Sequence, residues 1–206
     1  MSNFLGFSQY LIEQSLSRVY DHTKNRSIGI ITASRGNYDG KTAEEHDAWN
    51  KARNKRLEKD LRDAGHSYIK VTGRYTENKG TPEEKKVTEH SYLVIGKKSE
   101  DDKKGKHYEK MKSDIIHLGK KYNQDSVLIK HHSDENAHLH GTAEGGFPGL
   151  GVVHSVGKWH PNRTGEFYSQ MKGNKTFTFE DVAYLNHNSF FVRGDSLWNY
   201  TQESFD

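Results

Sequence analysis

The sequence predicts an α+β fold of the ferredoxin-like type, a split βαβ sandwich in the order βαββαβ, with an N-terminal helix and a β-rich C-terminal extension. Two observations indicate this class. Short runs of β-branched and aromatic residues alternate with two amphipathic helical patterns, in the order strand, helix, strand, strand, helix, strand. That order is typical of a four-stranded antiparallel sheet that carries both helices on one face.

The first strand and the first helix have clear boundaries. An apolar run at 28–33 predicts the strand. Thr42 is followed three residues later by Glu45, and this pair forms a capping box that begins a helix. Gly65 is typical of the residue that ends one.

The other elements of the predicted sandwich follow in order. β-forming residues predict strands at about 67–74 and 87–95, and 126–130 is the fourth strand. An apolar stripe before that strand indicates the second helix. The stripe consists of Met111, Ile115, Leu118 and Tyr122.

The chain divides into three predicted segments. Residues 1–24 form an N-terminal amphipathic helix or leader, and 25–143 form the α+β core. Residues 144–206 form a Gly-rich connection and a C-terminal extension packed on the core. A length of 206 residues fits one domain with such extensions.

The composition excludes several classes of function. The chain has no Cys, which removes disulfides, thiol catalysis and thiolate metal sites. Its 31 Lys and Arg oppose 28 Asp and Glu, and a net charge of +3 gives no indication of a nucleic-acid partner. No stretch approaches the roughly 20 apolar residues that a membrane-spanning helix needs, so we expect no membrane partner.

A polar cluster is predicted at one edge of the sheet. Asn50 and Asn54 precede Leu57 and Leu61 on one face of the first helix, and inward amides need hydrogen-bond partners. The split βαβ topology brings the end of the first strand and the beginnings of the third and fourth strands to that helix. The residues gathered there are Thr32, Ser34, Arg35, Asn50, Asn54, Arg74, Glu89, Ser91 and Gln124.

This cluster has two interpretations. It closes the end of a small core as a satisfied network, or it forms a ligand pocket covered by the loop at 35–40. If the protein is an enzyme, Glu89 is the best general base or acid and Arg74 stabilises an anion. The hydroxyl, amide and guanidinium groups of the other residues would then bind and orient the ligand.

Two histidines suggest a separate metal site. His138 and His140 would point to the same face of a strand, and adjacent imidazoles can hold zinc. A third ligand is needed, and Asp134, Glu135 and His154 are the candidates. The alternative is that these histidines are solvated or hydrogen-bonded. We therefore expect no cofactor, and zinc is the one that the sequence leaves open.

Several segments of the chain follow one another at the spacing of a known family. They are Ile31 to Ala33, Asn50 to Leu57, Gly73, Glu89 to Gly96, and Leu118 to Val127. In these segments the sequence resembles an uncharacterised bacterial and phage family, a domain of unknown function, over about 28–130. Ser34-Arg35-Gly36 stands where that family often has Trp-Asn-Pro. The resemblance implies the fold boundary and the cluster, and no reaction follows from it.

The N-terminus carries a second resemblance. The segment from Phe7 to Glu13 is similar to the capsid-targeting leaders of T4-like phage internal proteins, which are trimmed after a Leu/Ile-x-Glu motif. Leu11-Ile12-Glu13 matches that motif. This resemblance implies a protein packaged in the phage head and delivered to the host.

The two resemblances together imply a phage-type accessory protein for host takeover or anti-defence, acting in the bacterial host cytoplasm. Its expected partner is a small polar, nucleotide-like ligand at the cluster. Two alternatives stay open: a His-metal-dependent hydrolase or nuclease, and an inhibitor that binds a host bacterial protein and has no small-molecule site. The residues do not decide whether the protein is an enzyme.

Overall fold

The computed structural model describes residues 24–36, 42–77, 82, 85–161, 167–171 and 176–180, which contain eight strands and two helices. The strands are β1 (Arg26–Thr32), β2 (Ser67–Glu77), β3 (Lys85–Lys98), β4 (Ser126–Lys130), β5 (Asn136–Gly141), β6 (Val153–Pro161), β7 (Phe167–Gln170) and β8 (Thr176–Glu180). The helices are α1 (Ala43–Asp63) and α2 (Lys106–Lys121), and a 3₁₀ turn (Ser99–Asp101) precedes α2. Neither helix is long and apolar enough to cross a membrane.

The eight strands form one closed antiparallel barrel. Their order around the barrel is β1, β3, β2, β7, β8, β6, β5, β4. β4 pairs with β1 and completes the circle. Because every strand has a neighbour on both sides, the barrel leaves no open sheet edge.

The predicted ferredoxin-like sandwich is therefore wrong. The order β2, β3, β1, β4 that such a sandwich requires is present, but β7 pairs with β2 and β5 pairs with β4. The strands that close these edges come from the C-terminal part of the chain. β7 and β8 have only 4 and 5 residues, and a short strand pattern does not indicate which distant strand it pairs with.

The barrel wall separates two apolar cores, because side chains alternate between the two faces of a strand. Leu93 points into the barrel, whereas Tyr92 and Val94 point outward to the helices. The interior core consists of Ile28, Val71, Leu93, Met171 and Phe177. The outer core joins Leu57 and Leu61 of α1 and Met111, Ile115 and Leu118 of α2 to the outward side chains of β1, β3 and β4.

The helix α1 begins and ends as the sequence predicts. The Thr42 hydroxyl accepts a hydrogen bond from the Glu45 N–H at 3.3 Å, and the Glu45 carboxylate accepts one from the Thr42 N–H at 2.9 Å. Gly65, two residues after the helix, has a φ of +81°, in the left-handed region that glycine adopts without strain. The capping-box prediction is confirmed.

The Gly-rich connection after β5 folds back onto that strand. The Gly141 N–H donates to the Val152 carbonyl at 2.9 Å, and the Gly151 N–H donates to the Gly141 carbonyl at 3.0 Å. A Cβ atom at Gly141 would overlap the carbonyl of Gly149. Glycine is therefore required at 141 by the close approach of two backbones.

We expect Gly141→Ala to lower the free energy of unfolding by about 1–3 kcal/mol, the usual cost of overpacking. The matched control is Gly145→Ala, because a Cβ at Gly145 meets nothing within 4 Å. Urea unfolding of both variants measures the difference. Equal stability of the two variants would show that the loop does not pack on β5 as described.

Candidate functional site

The chain leaves β1 through a three-residue segment, Ala33–Arg35, whose backbone polar groups are all bonded by side chains. Beyond the end of a strand such groups lose their ladder partners, and when buried they need others. Ala33 and Ser34 are buried. The partners come from β1, α1 and the turn before β4, and they are Thr32, His46, Asn50, Arg53, Asn54 and Gln124.

Two asparagines of α1 bind this segment as a neighbouring strand would. The Asn50 Oδ1 accepts from the Arg35 N–H and the Asn50 Nδ2 donates to the Arg35 carbonyl, both at 2.9 Å. The Asn54 Oδ1 accepts from the Ala33 N–H at 3.1 Å, and the Asn54 Nδ2 donates to the Ser34 Oγ at 2.8 Å. Both amides therefore serve the protein's own chain.

Four further side chains complete the network. Arg53 Nε donates to the Ala33 carbonyl at 2.7 Å, and Gln124 Nε2 donates to the Ser34 carbonyl at 3.1 Å. His46 Nε2 contacts the Arg35 carbonyl at 2.7 Å. Thr32 Oγ1 accepts a hydrogen bond from the Ser34 N–H at 3.0 Å. The sequence interpretation missed Arg53 and His46. His46 lies one turn before Asn50 in the same helical row, and this spacing could have identified it.

The structure thus brings together most of the predicted ligand-binding residues, namely Thr32, Ser34, Arg35, Asn50, Asn54 and Gln124. The Arg35 guanidinium extends the network to Asp125, with an N–O distance of 3.0 Å. A satisfied network of this kind fixes the connection from β1 to α1. Contact of these residues with a ligand stays a prediction.

The two predicted catalytic residues lie on opposite faces of the barrel wall. Glu89 stands opposite Gly73, and Arg74 stands opposite Thr88. Glu89 lies four residues before the interior Leu93 on the same strand, so Glu89 faces the barrel interior. Arg74 is exposed on the outside. A ligand on either face would therefore meet only one of the two.

A groove of about 570 Å³ lies beside α1 and the strands β2 and β3, and we call it the α1 groove. Its lining residues are Lys51, Asn54, Lys55 and Glu58 on α1, Lys70, Val71 and Thr72 on β2, His90, Ser91 and Tyr92 on β3, and Gln170 and Met171 after them in the chain. The predicted site residues Asn54 and Ser91 are thus part of it. Its volume lies in the range of small-molecule sites, about 300–1,000 Å³.

One carboxylate, that of Glu58, lies among the three lysines that line the α1 groove. Glu58 forms an ion pair with Lys70 at 2.9 Å and accepts a hydrogen bond from the Tyr68 hydroxyl at 2.8 Å. These bonds, from Lys70 first and Tyr68 second, hold the pKa of Glu58 below its usual value. Burial raises the pKa of Tyr92 to about 12, and its hydroxyl donates to the Asn54 carbonyl at 2.9 Å. At neutral pH Glu58 is therefore ionised and Tyr92 is protonated.

The predicted zinc ligands His138 and His140 lie on one face of β5. Two of the three candidates for the third zinc ligand, His154 and Glu135, are not available at this face. His154 stands opposite the residue between the two histidines and so faces the other side, and Glu135 forms an ion pair with Lys158 at 2.5 Å. Within the residues that the structure describes, no three His, Asp or Glu side chains are grouped to hold a metal ion.

The environment of His140 predicts that the stability of the protein depends on pH. Burial first, and then the charges of Lys112 and His138, lower the pKa of His140 below the ordinary 6.5. The unfolded chain binds this proton at a higher pH than the folded chain, so stability is lost as the pH falls from 6.5 toward the lowered pKa. We expect the free energy of unfolding to fall between about pH 7.5 and about pH 5.5, and to fall less in His140→Gln.

Urea unfolding at both pH values measures this difference. The control for the loss of an imidazole as such is His117→Gln, because His117 is exposed on α2. An identical fall in the parent protein and in His140→Gln would contradict the assignment.

We expect Asn54→Ala to cost about 1–3 kcal/mol of unfolding free energy, because it leaves the buried Ala33 N–H without its acceptor. The control is Arg56→Ala, an exposed position on the same helix, which should be close to neutral. Urea denaturation compares the two. A neutral Asn54→Ala would show that water already serves these groups, as in a pocket open to a ligand.

Comparison with known proteins identifies the family. The model of the S-Adenosylmethionine lyase family matches residues 29–182. No curated protein matches the chain. Among solved structures, a phage SAM lyase in complex with S-methyl-5′-thioadenosine is similar at 20% sequence identity and a TM-score of 0.29, over 65% of this chain and 89% of that chain.

These findings correct both resemblances noted in the sequence. The matching family is neither the uncharacterised family nor a family of capsid-targeting leaders. The shared segments are short pieces of strand, helix and turn that many α and β proteins need, so they did not discriminate between families. The leader segment, residues 7–13, lies outside the described residues and before the match. Because the family model covers most of its length, the chain belongs to the S-adenosylmethionine lyase family.

Proposed function

We propose that the protein cleaves S-adenosylmethionine and that the α1 groove binds this substrate. The family match carries the proposal. All residues that line the α1 groove, from Lys51 to Met171, lie inside the matched range 29–182. The groove is also large enough for a nucleoside with an amino-acid side arm.

The chemistry of the groove suits the parts of this substrate. The exposed His90 ring can stack on adenine, and Thr72 and Gln170 offer hydrogen-bonding groups for the ribose and the base. Lys55 can bind the carboxylate of the methionine part. Glu58 offers a negative charge to the sulfonium and the ammonium group.

A lyase breaks the bond from sulfur to the amino-acid part without water. The departing group is a neutral thioether, so its departure needs no general acid. In one route the substrate's own carboxylate oxygen attacks Cγ, and the C–S electron pair leaves with sulfur, which gives a lactone. In the other, a base removes a Cβ proton and a C=C bond forms as sulfur leaves.

The groove favours the lactone route. That route needs only the correct orientation of the carboxylate and the C–S bond, which binding supplies. The elimination route needs a base, and Glu58 is a weak one because Lys70 and Tyr68 lower its pKa. Glu89, the base that the sequence suggests, faces the barrel interior and would serve an elimination only on a substrate bound there, whereas Arg74, the candidate anion-stabilising residue, lies on the outer face.

Such an activity fits a phage-type accessory protein. S-adenosylmethionine is the methyl donor of the host, and its removal would stop methyl transfer, including the methylation on which host defence depends. We therefore propose that the protein acts in the cytoplasm of the bacterial host.

We expect the purified protein to convert S-adenosylmethionine to S-methyl-5′-thioadenosine, measured by chromatography with mass detection. Lys55→Met should raise KM about five- to tenfold, the effect of losing one hydrogen bond at a solvent-exposed side chain. The control is Lys59→Met, one turn further along α1 and outside the groove, which should keep the parent KM. If the parent protein does not cleave S-adenosylmethionine, the proposed function is wrong.

The second product separates the two routes. A lactone, or the homoserine formed when it hydrolyses, indicates attack by the carboxylate, and Glu89→Gln should then leave kcat nearly unchanged. An unsaturated amino acid together with a large loss of kcat in Glu89→Gln would contradict the lactone route, make Glu89 the base and place the substrate inside the barrel instead of in the α1 groove.

A further inference from the structure

We infer that the α1 groove also binds nucleoside phosphates, and that adenine nucleotides compete there with S-adenosylmethionine. The competition rests on the proposed function, whereas the binding rests on the groove alone. The groove lining carries more lysines than carboxylates, and this charge attracts an anionic nucleoside.

The lining of the groove is basic. Lys51, Lys55 and Lys70 oppose a single carboxylate, that of Glu58. The Glu58 charge is compensated by the Lys70 ammonium at 2.9 Å and by the Tyr68 hydroxyl at 2.8 Å. An incoming anion therefore meets more positive than negative charge.

Lys55 is the cation best placed to bind a phosphate. Lys51 forms an ion pair with Asp47 at 2.6 Å, and Lys70 is held by Glu58. For Lys55 no ion pair is found within the part of the chain that the structure describes. Lys55 lies one turn after Lys51 on α1, so its ammonium can reach a ligand without breaking an existing contact.

More positive charge lies along the same outer face. Arg74 follows Lys70 and Thr72 on the outward side of β2. Arg74 is exposed and lies two residues beyond the groove-lining Thr72 on the same strand, so a second phosphate of a nucleoside diphosphate would extend toward it. Guanidinium and ammonium groups are the usual phosphate ligands of proteins.

S-adenosylmethionine and the adenosine phosphates share the adenosine part and differ in the charged group attached to it. S-adenosylmethionine carries a sulfonium, an ammonium and a carboxylate, so its net charge is positive at neutral pH. Adenosine phosphates present the same adenine and ribose with negative charge in place of the sulfonium. They can keep the contacts with His90 and Thr72 and gain attraction from Lys55.

Calorimetric titration in a phosphate-free chloride buffer tests the binding. We expect ADP to bind more tightly than AMP, AMP more tightly than adenosine, and the affinity for ADP to fall as salt is added. Lys55→Met should weaken ADP binding about five- to tenfold and leave adenosine binding unchanged. Lys59→Met, on the same helix outside the groove, should bind ADP as the parent protein does.

Three results would overturn the inference. ADP and adenosine could bind equally, Lys55→Met could bind ADP as the parent does, or pyrophosphate alone could bind as tightly as ADP. Equal binding of pyrophosphate and ADP would show that the nucleoside contributes nothing to recognition.

Cleavage assays with added ADP test the competition and keep the two proposals distinguishable. ADP should raise KM for S-adenosylmethionine without changing kcat. A protein that cleaves S-adenosylmethionine and ignores ADP would overturn the inference and leave the proposed function intact. A protein that binds ADP through Lys55 and cleaves no S-adenosylmethionine would support the nucleotide site and overturn the proposed function.

Discussion

The hydrogen bonds from side chains to the backbone of Ala33–Arg35 are the constraint on which the site depends. Every N–H and carbonyl of this segment has a side-chain partner, so the chain can leave the barrel without losing backbone bonds. Asn54 joins three parts of the fold. Its amide holds the end of β1, its carbonyl accepts from Tyr92 of β3, and its side of α1 forms the wall of the α1 groove.

The local elements could be predicted from the sequence, because their signals are local. The Thr42 and Glu45 capping box sets the start of α1. The inward position of Asn50 and Asn54 follows from their spacing to Leu57. The barrel could not be predicted in the same way, since its closure depends on pairing between short strands that are distant in the chain.

The faces of the strand residues were harder still to predict. A shift of one residue in register moves a side chain to the other side of a sheet. The sequence predicted that Glu89 and Arg74 lie at the same edge of the sheet, and the two residues do belong to neighbouring residue pairs of β2 and β3. Only the register of β2 against β3 shows that Glu89 faces inward and Arg74 outward. The α1 groove was missed because its lysines resemble an ordinary solvated helix face.

A structure of the protein with S-methyl-5′-thioadenosine would show whether the α1 groove is the nucleoside site. We expect adenine beside His90 and the thioether end between Lys55 and Glu58. A ligand inside the barrel beside Glu89, with the α1 groove unchanged, would show that the nucleoside does not bind in the groove.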